Sequence, residues 1–287
     1  MSKRKLSILL ALTMAVTMSA CSSSSAAGSD IPASSSTAQL SDTSEDPVEL
    51  IVFAASSMTG TLNSIIRLYK AANPNITFSV NFDSSGTLKS QIEEGADCDI
   101  FISASQKQMD ALDIAANSDA NPQGLDFILS GTRFDLVSNS VVLIVPEGNP
   151  SGVTSFEDLM TDKVSLIALG NADVPVGQYS SEIFTSIGMW DQLTSDQKIT
   201  YGTNVKEVLA QVVEGAVDCG VVYSTDAAAA DVLVVASAPS GSHKDITYPA
   251  AVLAVSDEAE AAQAFLEYLM TGECSDVFES AGFTIPN

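Results

Sequence analysis

The sequence is short of the residues on which most catalytic and metal chemistry depends. It has one histidine, His243, in the late Gly241-Ser242-His243 loop, so no Ser/His/Asp set forms. The cysteines Cys21, Cys98, Cys219 and Cys274 contain no CxxC pair, and without Cys21 their odd count cannot all pair within the chain. Cys98 and Cys219 lie beside apolar runs and read as small core residues. No His/Cys/Asp/Glu cluster has ligand spacing, which excludes a zinc or iron site and any resident cofactor metal. The G-x-G-x-x-G fingerprint is missing, and Gly86 stands alone in its loop. A hydrolase acting on oxyanion esters would need a nucleophile-base pair or a metal pair, and neither is present.

Positive charge is scarce too. Twelve Lys and Arg face 36 Asp and Glu, for a formal net charge of -24. That balance argues against nucleic acid or an anionic bilayer as a partner. It also opposes an anionic ligand on net charge alone. Local donors would have to outweigh the global field, which salt screens beyond roughly 10 Å. With so many carboxylates, chance acidic pairs are expected, and most are solvated surface.

The N-terminus carries an export signal. Lys3, Arg4 and Lys5 precede an apolar stretch from Leu6 to Ala15, and Met18-Ser19-Ala20-Cys21 follows. The apolar stretch is too short and wrongly flanked for a membrane span. Small residues directly before Cys21 resemble a lipoprotein lipobox, which implies a signal peptide over 1–20 and a lipid on Cys21. Acyl-chain burial would hold such an anchor at roughly 0.8 kcal/mol per CH₂. The Ser, Ala, Thr, Gly and Asp that follow lack apolar periodicity, so 21–46 reads as a flexible tether. About 240 residues remain, enough for one large domain or two smaller ones.

The folded part is organised around Leu50 to Tyr69. Leu50-Ile51-Val52-Phe53 reads as a buried strand, Ala54-Ala55-Ser56-Ser57 as a small turn, and Leu62, Ile65, Ile66 and Tyr69 as a helix face. The pattern repeats: strand Thr77 to Phe82, loop Asp83 to Thr87, helix Leu88 to Glu94 closed by Gly95. It repeats again with strand Asp99 to Ile102, loop Ser103-Ala104-Ser105, and a helix turning Met109 and Leu112 inward. Three β-α units argue for a mostly parallel sheet covered on both faces.

From Arg133-Phe134 the chain is expected to cross to a second domain. Strands are expected at Ser140 to Val145, Ser165 to Leu169, Asp218 to Tyr223 and Val232 to Val235. Helices follow through Ile183 and Phe184, from Val205 to Val213, and from Ser224. Strand Tyr248 to Val255 and helix Glu258 to Met270 close the chain. Loops of small residues thus sit at helix starts around Ser57, Ser85, Ala104, Val176 and Val205, none rich in Lys or Arg. Free backbone N–H groups at such helix starts face whatever lies beside them. The C-terminal ends of strands in open α/β sheets are where ligands usually bind.

Six segments carry a resemblance. They are Phe53 to Met58; Ser84 to Leu88 with Gln91-Ile92-Glu93 and Gly95-Ala96; Asp99 to Lys107 with Met109-Asp110; Val174-Pro175-Val176-Gly177-Gln178-Tyr179; Gly220 to Ala227; and Gly282-Phe283-Thr284. In order and at normal spacing over Leu50 to Asn287, they resemble the molybdate-binding protein of bacterial ABC importers, the ModA family. The resemblance implies an α/β, two-lobed periplasmic-binding-protein fold of type II, each lobe a mixed sheet flanked by helices. Lobe 1 would be 47–134 plus 238–287 and lobe 2 would be 135–237, closing over a ligand by hinge motion.

It also implies a function without bond-making. A monomeric lipoprotein on the outer face of the cell membrane would capture molybdate or tungstate and deliver it to an ABC permease and its ATPase. The carried-over oxyanion-binding positions are Ser57 and Ser85 by hydroxyl and N–H, Val176 and Val205 by N–H, and Tyr223 by its phenol, with Ala104 lining the pocket. The family usually has Ala where this chain has Val176, and the two extra methyls bear on closure and anion size. The alternatives are a receptor for another tetrahedral oxyanion such as sulfate or phosphate, or a surface sensor or adhesin on the same fold.

The chemistry agrees with that residue set. Molybdate is a dianion near neutral pH, and its oxygens only accept hydrogen bonds. Neutral donors satisfy it without an acid or base, at roughly 1.5–3 kcal/mol for each charge-assisted bond. Helix starts at Ser57 and Ser85 add favourable dipoles, roughly 0.3–1 kcal/mol each when exposed. A partly protonated phosphate would bring an O–H with no acceptor to meet it. Sulfate must be excluded by size, and tungstate is nearly isosteric with molybdate.

Overall fold

The computed structural model describes residues 46–286. The expected leader over 1–20, the lipidated Cys21 and the tether up to residue 45 lie outside the described residues. Among the described residues no helix is long and apolar enough to cross a membrane.

The first sheet is built on β1 (Val48–Ala55), whose last four residues are buried. It pairs in parallel with β2 (Ile76–Asp83) on one side and β3 (Ile100–Ile102) on the other. Then β10 (Ile246–Val252) runs antiparallel to β3 and to β4 (Phe134–Asn139), giving the order β2-β1-β3-β10-β4. Pro249 lacks an N–H, and the β10–β4 register shifts between Tyr248 and Pro249. A proline inside a sheet is tolerated at such an irregularity.

Strand alternation sends β1 side chains to two separate cores. Val52 and Ala54 join Leu62, Ile65 and Phe265, from α1 (Thr59–Ala72) and α8 (Ala259–Leu269). Phe53 faces the other way, to Leu88 of α2 (Ser85–Glu93) and Met109 of α3 (Gln106–Asp110). The final α9 (Gly272–Ser280) adds Cys274 and Phe278 to the larger core.

The second sheet has the order β7-β6-β8-β5-β9. Here β6 (Ile167–Gly170) is parallel to β7 (Ile199–Gly202) and β8 (Cys219–Tyr223), and β5 (Val141–Pro146) is antiparallel to β8 and β9 (Val232–Ser237). Both sheets therefore place three parallel strands beside an antiparallel pair. Helices α4 (Pro175–Ser186), α5 (Trp190–Ser195), α6 (Val205–Val213) and α7 (Ser224–Ala228) belong to this half. The result is an α/β fold of two mixed sheets flanked by helices, the arrangement of a type II periplasmic binding protein.

Several local readings change. Sheet pairing keeps residues 135–139 with the first sheet through β4, so the chain leaves that sheet at Ser140, not after Phe134. Helix α2 begins at Ser85 because the Ser84 hydroxyl accepts the Thr87 N–H and caps it. Strand β7 and helix α5 had no counterpart in the sequence reading, and α3 ends before Leu112, which is still fully buried. Cys98, Cys219 and Cys274 are buried and unpaired, and burial pushes the first two thiols up to about 12.

Candidate functional site

The C-terminal ends of the parallel strands of both sheets converge on one cavity. After β1 comes a 3-10 turn, Ser56–Met58, that carries Ser57 into α1. After β2, Ser84 caps α2 and Ser85 is its first residue. Ala104 follows β3. In the other half, Val176 is the second residue of α4, after Pro175, and Val205 the first of α6. Tyr223 ends β8 and precedes α7. Ser57, Ser85, Ala104, Val176, Val205 and Tyr223 all line this cavity, which holds about 190 Å³ of atom-free space with its open side included.

Close packing sets the backbone here. A Cβ on Gly177 would lie 2.2 Å from the Gly170 carbonyl oxygen, so only glycine lets the α4 start press onto the end of β6. Val176 sits in that first turn, where helix N–H groups have no intrahelical acceptor. The Asn204 side chain takes the Glu207 N–H, capping α6 beside Val205. Lys206 Nζ lies 2.7 Å from Asp226 Oδ1, tying the start of α6 to α7 directly after Tyr223. Burial pushes the Asp226 carboxyl up, against the pull of Lys206.

The hydroxyls differ in their partners. Ser85 Oγ accepts the Ala104 N–H at 2.9 Å, leaving the serine hydrogen free. Ala104 therefore orients Ser85 as well as leaving room. Ser57 Oγ lies 2.9 Å from Tyr248 Oη. The Tyr223 hydroxyl is buried and makes no well-formed hydrogen bond, although the Tyr248 hydroxyl acts on it at the margin of one. Burial, followed by the fields of Tyr248, Tyr179 and Asp226, holds its phenol well above the ordinary value and keeps it protonated.

No Lys or Arg lines the cavity, and Asp83 is its one charged lining residue. One oxygen of that carboxylate is engaged: Oδ1 accepts from the Ser84 N–H at 2.7 Å and from Asn204 Nδ2 at 3.3 Å, across the two halves. The sequence reading missed Asp83 and Ser84 as lining residues. It also missed Tyr248, read only as part of a strand. The arrangement offers a small guest neutral hydrogens, with the Asp83 carboxylate at its edge. Among the described residues no group of three or more His, Cys, Asp or Glu is placed to hold a metal.

Comparison with known proteins now decides the family. The sequence profile described as "Bacterial extracellular solute-binding protein" matches residues 50–284. The chain belongs to that family. This solute-binding protein is homologous to ModA-type molybdate-binding proteins. It is 35% identical over 241 residues to the molybdate-binding protein ModA of Haemophilus influenzae, covering 82% of this chain and 90% of the relative. It is 35% identical over 248 residues to that of Escherichia coli, covering 84% and 90%. The solved periplasmic molybdate-binding protein of Azotobacter vinelandii superposes with a TM-score of 0.71 at 24% identity, over 83% of this chain and all of that one, which establishes the shared fold. As a member of this family the protein is an extracytoplasmic transport component that binds a solute, not an enzyme.

Proposed function

We propose that the cavity takes molybdate or tungstate and that the protein hands it to an ABC permease driven by its ATPase. The observation that carries this reading is the Tyr223 hydroxyl, a protonated donor buried without a well-formed hydrogen bond, in a cavity lined also by serine hydroxyls, helix starts and the Asp83 carboxylate. An unsatisfied buried hydroxyl costs about 1–3 kcal/mol, which a hydrogen-bond acceptor entering the cavity would recover. A fully deprotonated tetrahedral oxyanion supplies acceptors in every direction. Homology to proteins named for molybdate supports the choice of guest.

On this reading the five contacts are Ser57, Ser85, Val176, Val205 and Tyr223, with Ala104 behind Ser85. The two sheets are the cores of two lobes that part and close at the crossings near Ser140 and after Ser237. The protein acts as a monomer, anchored on the outer face of the membrane through lipid on Cys21 and a tether to residue 46. Calorimetry of the purified protein with molybdate, tungstate, sulfate and phosphate tests the reading. Tight binding of the first two and little of the others is expected. Equal binding of sulfate would overturn it.

A further inference from the structure

Behind Ser57 lies a hydrogen-bond chain whose first links, at Asn139, have a fixed direction. Asn139, the last residue of β4, accepts the Ser140 backbone N–H on Oδ1 at 2.8 Å. A backbone N–H can only donate, so the orientation of the Asn139 amide follows without ambiguity. The same oxygen accepts from Ser224 Oγ at 3.0 Å. Both hydrogens of Nδ2 are then directed outward, one to Thr225 Oγ1 at 2.9 Å and one to Tyr248 Oη at 3.2 Å. Tyr248 is fully buried, and its oxygen lies 2.9 Å from Ser57 Oγ. Having accepted from Asn139, Tyr248 keeps one hydrogen of its own, and Ser57 Oγ at 2.9 Å and the Tyr223 hydroxyl are the groups that face it. Given to Ser57, that hydrogen would leave the serine's own hydrogen for the cavity.

We propose that Tyr248 gives this hydrogen to Ser57, so that Asn139 and Tyr248 are positioning residues which fix Ser57 as a donor and the site selects guests without a proton at that corner. The proposal rests on the reading of the cavity as an oxyanion site. A guest presenting an O–H to Ser57 would leave the serine hydrogen with no acceptor in a buried place, which is unfavourable. The chain begins where the backbone leaves the first sheet and passes through Ser224 and Thr225, just after Tyr223. Two donors of the site, Ser57 and Tyr223, are thereby tied to the same asparagine.

A double-mutant cycle on the intact protein tests this, with molybdate and inorganic phosphate as probes near pH 7. Tyr248→Phe is expected to weaken molybdate about tenfold, the scale of one net hydrogen bond, and to raise relative affinity for phosphate. In a Ser57→Ala background the same change is expected to alter molybdate affinity by less than about twofold, because coupled sites are not additive. A purely structural role for Tyr248 would give the same loss in both backgrounds, and that result overturns the proposal. Should Tyr248→Phe fail to fold, Asn139→Asp probes the same chain. Its carboxylate accepts from Tyr248 and reverses the order, so a loss much greater with Ser57 present than with Ser57→Ala supports the proposal, and equal losses refute it. A parent protein that binds no tetrahedral oxyanion overturns this inference and the functional reading together. Binding by the parent with additive variants overturns the inference alone.

Discussion

Gly86 and Asp173 meet backbone to backbone: a Cβ built on Gly86 would stand 2.1 Å from the Asp173 carbonyl oxygen. Gly86 belongs to α2 on the first sheet, and Asp173 to the loop between β6 and α4 on the second. The contact joins the two halves beside the cavity, and it exists only because position 86 has no side chain. Gly86→Ala is therefore expected to hold the halves apart while leaving each half folded. Alanine also favours a helix over glycine by about 1 kcal/mol, so the ligand-free melting temperature should not fall. Calorimetry should register at least a tenfold loss of molybdate affinity; unchanged affinity would mean that this contact is not needed for binding.

The two serines should behave differently when truncated. Ser57→Ala and Ser85→Ala are each expected to weaken molybdate about tenfold, one net hydrogen bond apiece. Ser85→Ala also strands the Ala104 N–H, whose acceptor is Ser85 Oγ. Losing a buried partner costs about 1–3 kcal/mol, and in a domain of this size each kcal/mol moves the melting point by about 2–4 °C. Thermal melting without ligand should therefore drop for Ser85→Ala. A drop in stability with no change in affinity would confine Ser85 to a structural role.

Tyr223→Phe should separate stability from binding. The phenol is buried and makes no well-formed hydrogen bond within the fold, so removing it relieves a poorly satisfied group. The variant is expected to melt at or above the parent and to bind molybdate at least tenfold more weakly. If it melts lower and binds equally well, the hydroxyl has a partner within the fold.

The pH dependence of binding follows from the same residue. Burial raises the Tyr223 phenol well above its ordinary value, and Tyr248 is raised by burial as well. Raising an acid's pKa extends its protonated, donating form to higher pH. Deprotonation would remove a donor and set a negative charge against the anion. Molybdate affinity is thus expected to stay flat from neutral pH to about pH 10, the ordinary tyrosine value, and to decline only above it. A titration with a midpoint below that value would remove Tyr223 from the contact set.

Legibility in the sequence followed the range of the interactions. The loops at Ser57, Ser85, Val176 and Val205 were readable because a strand, small residues and a helix start are local features. Their meeting in one cavity came from the resemblance, since no local pattern places residues of two sheets together. Strand β4 was not legible because it is mixed in character, with Asp135 exposed beside buried Leu136 and Val137, and is held by pairing with β10 far along the chain. Strand β7 has one buried residue in four, and α5 buries only Leu193, so neither offered a periodic signal. Tyr248 read only as part of a strand because its polar partner, Ser57, is 191 positions away.

The three buried thiols settle a different matter. A thiol held near 12 has almost no thiolate at neutral pH, and thiolate is the form that attacks disulfides and oxidants. Enclosure within the strands and helices thus does for Cys98 and Cys219 what cross-linking does in many exported proteins. An odd number of sulfurs can travel through an oxidising compartment without seeking partners, for as long as the polypeptide stays folded.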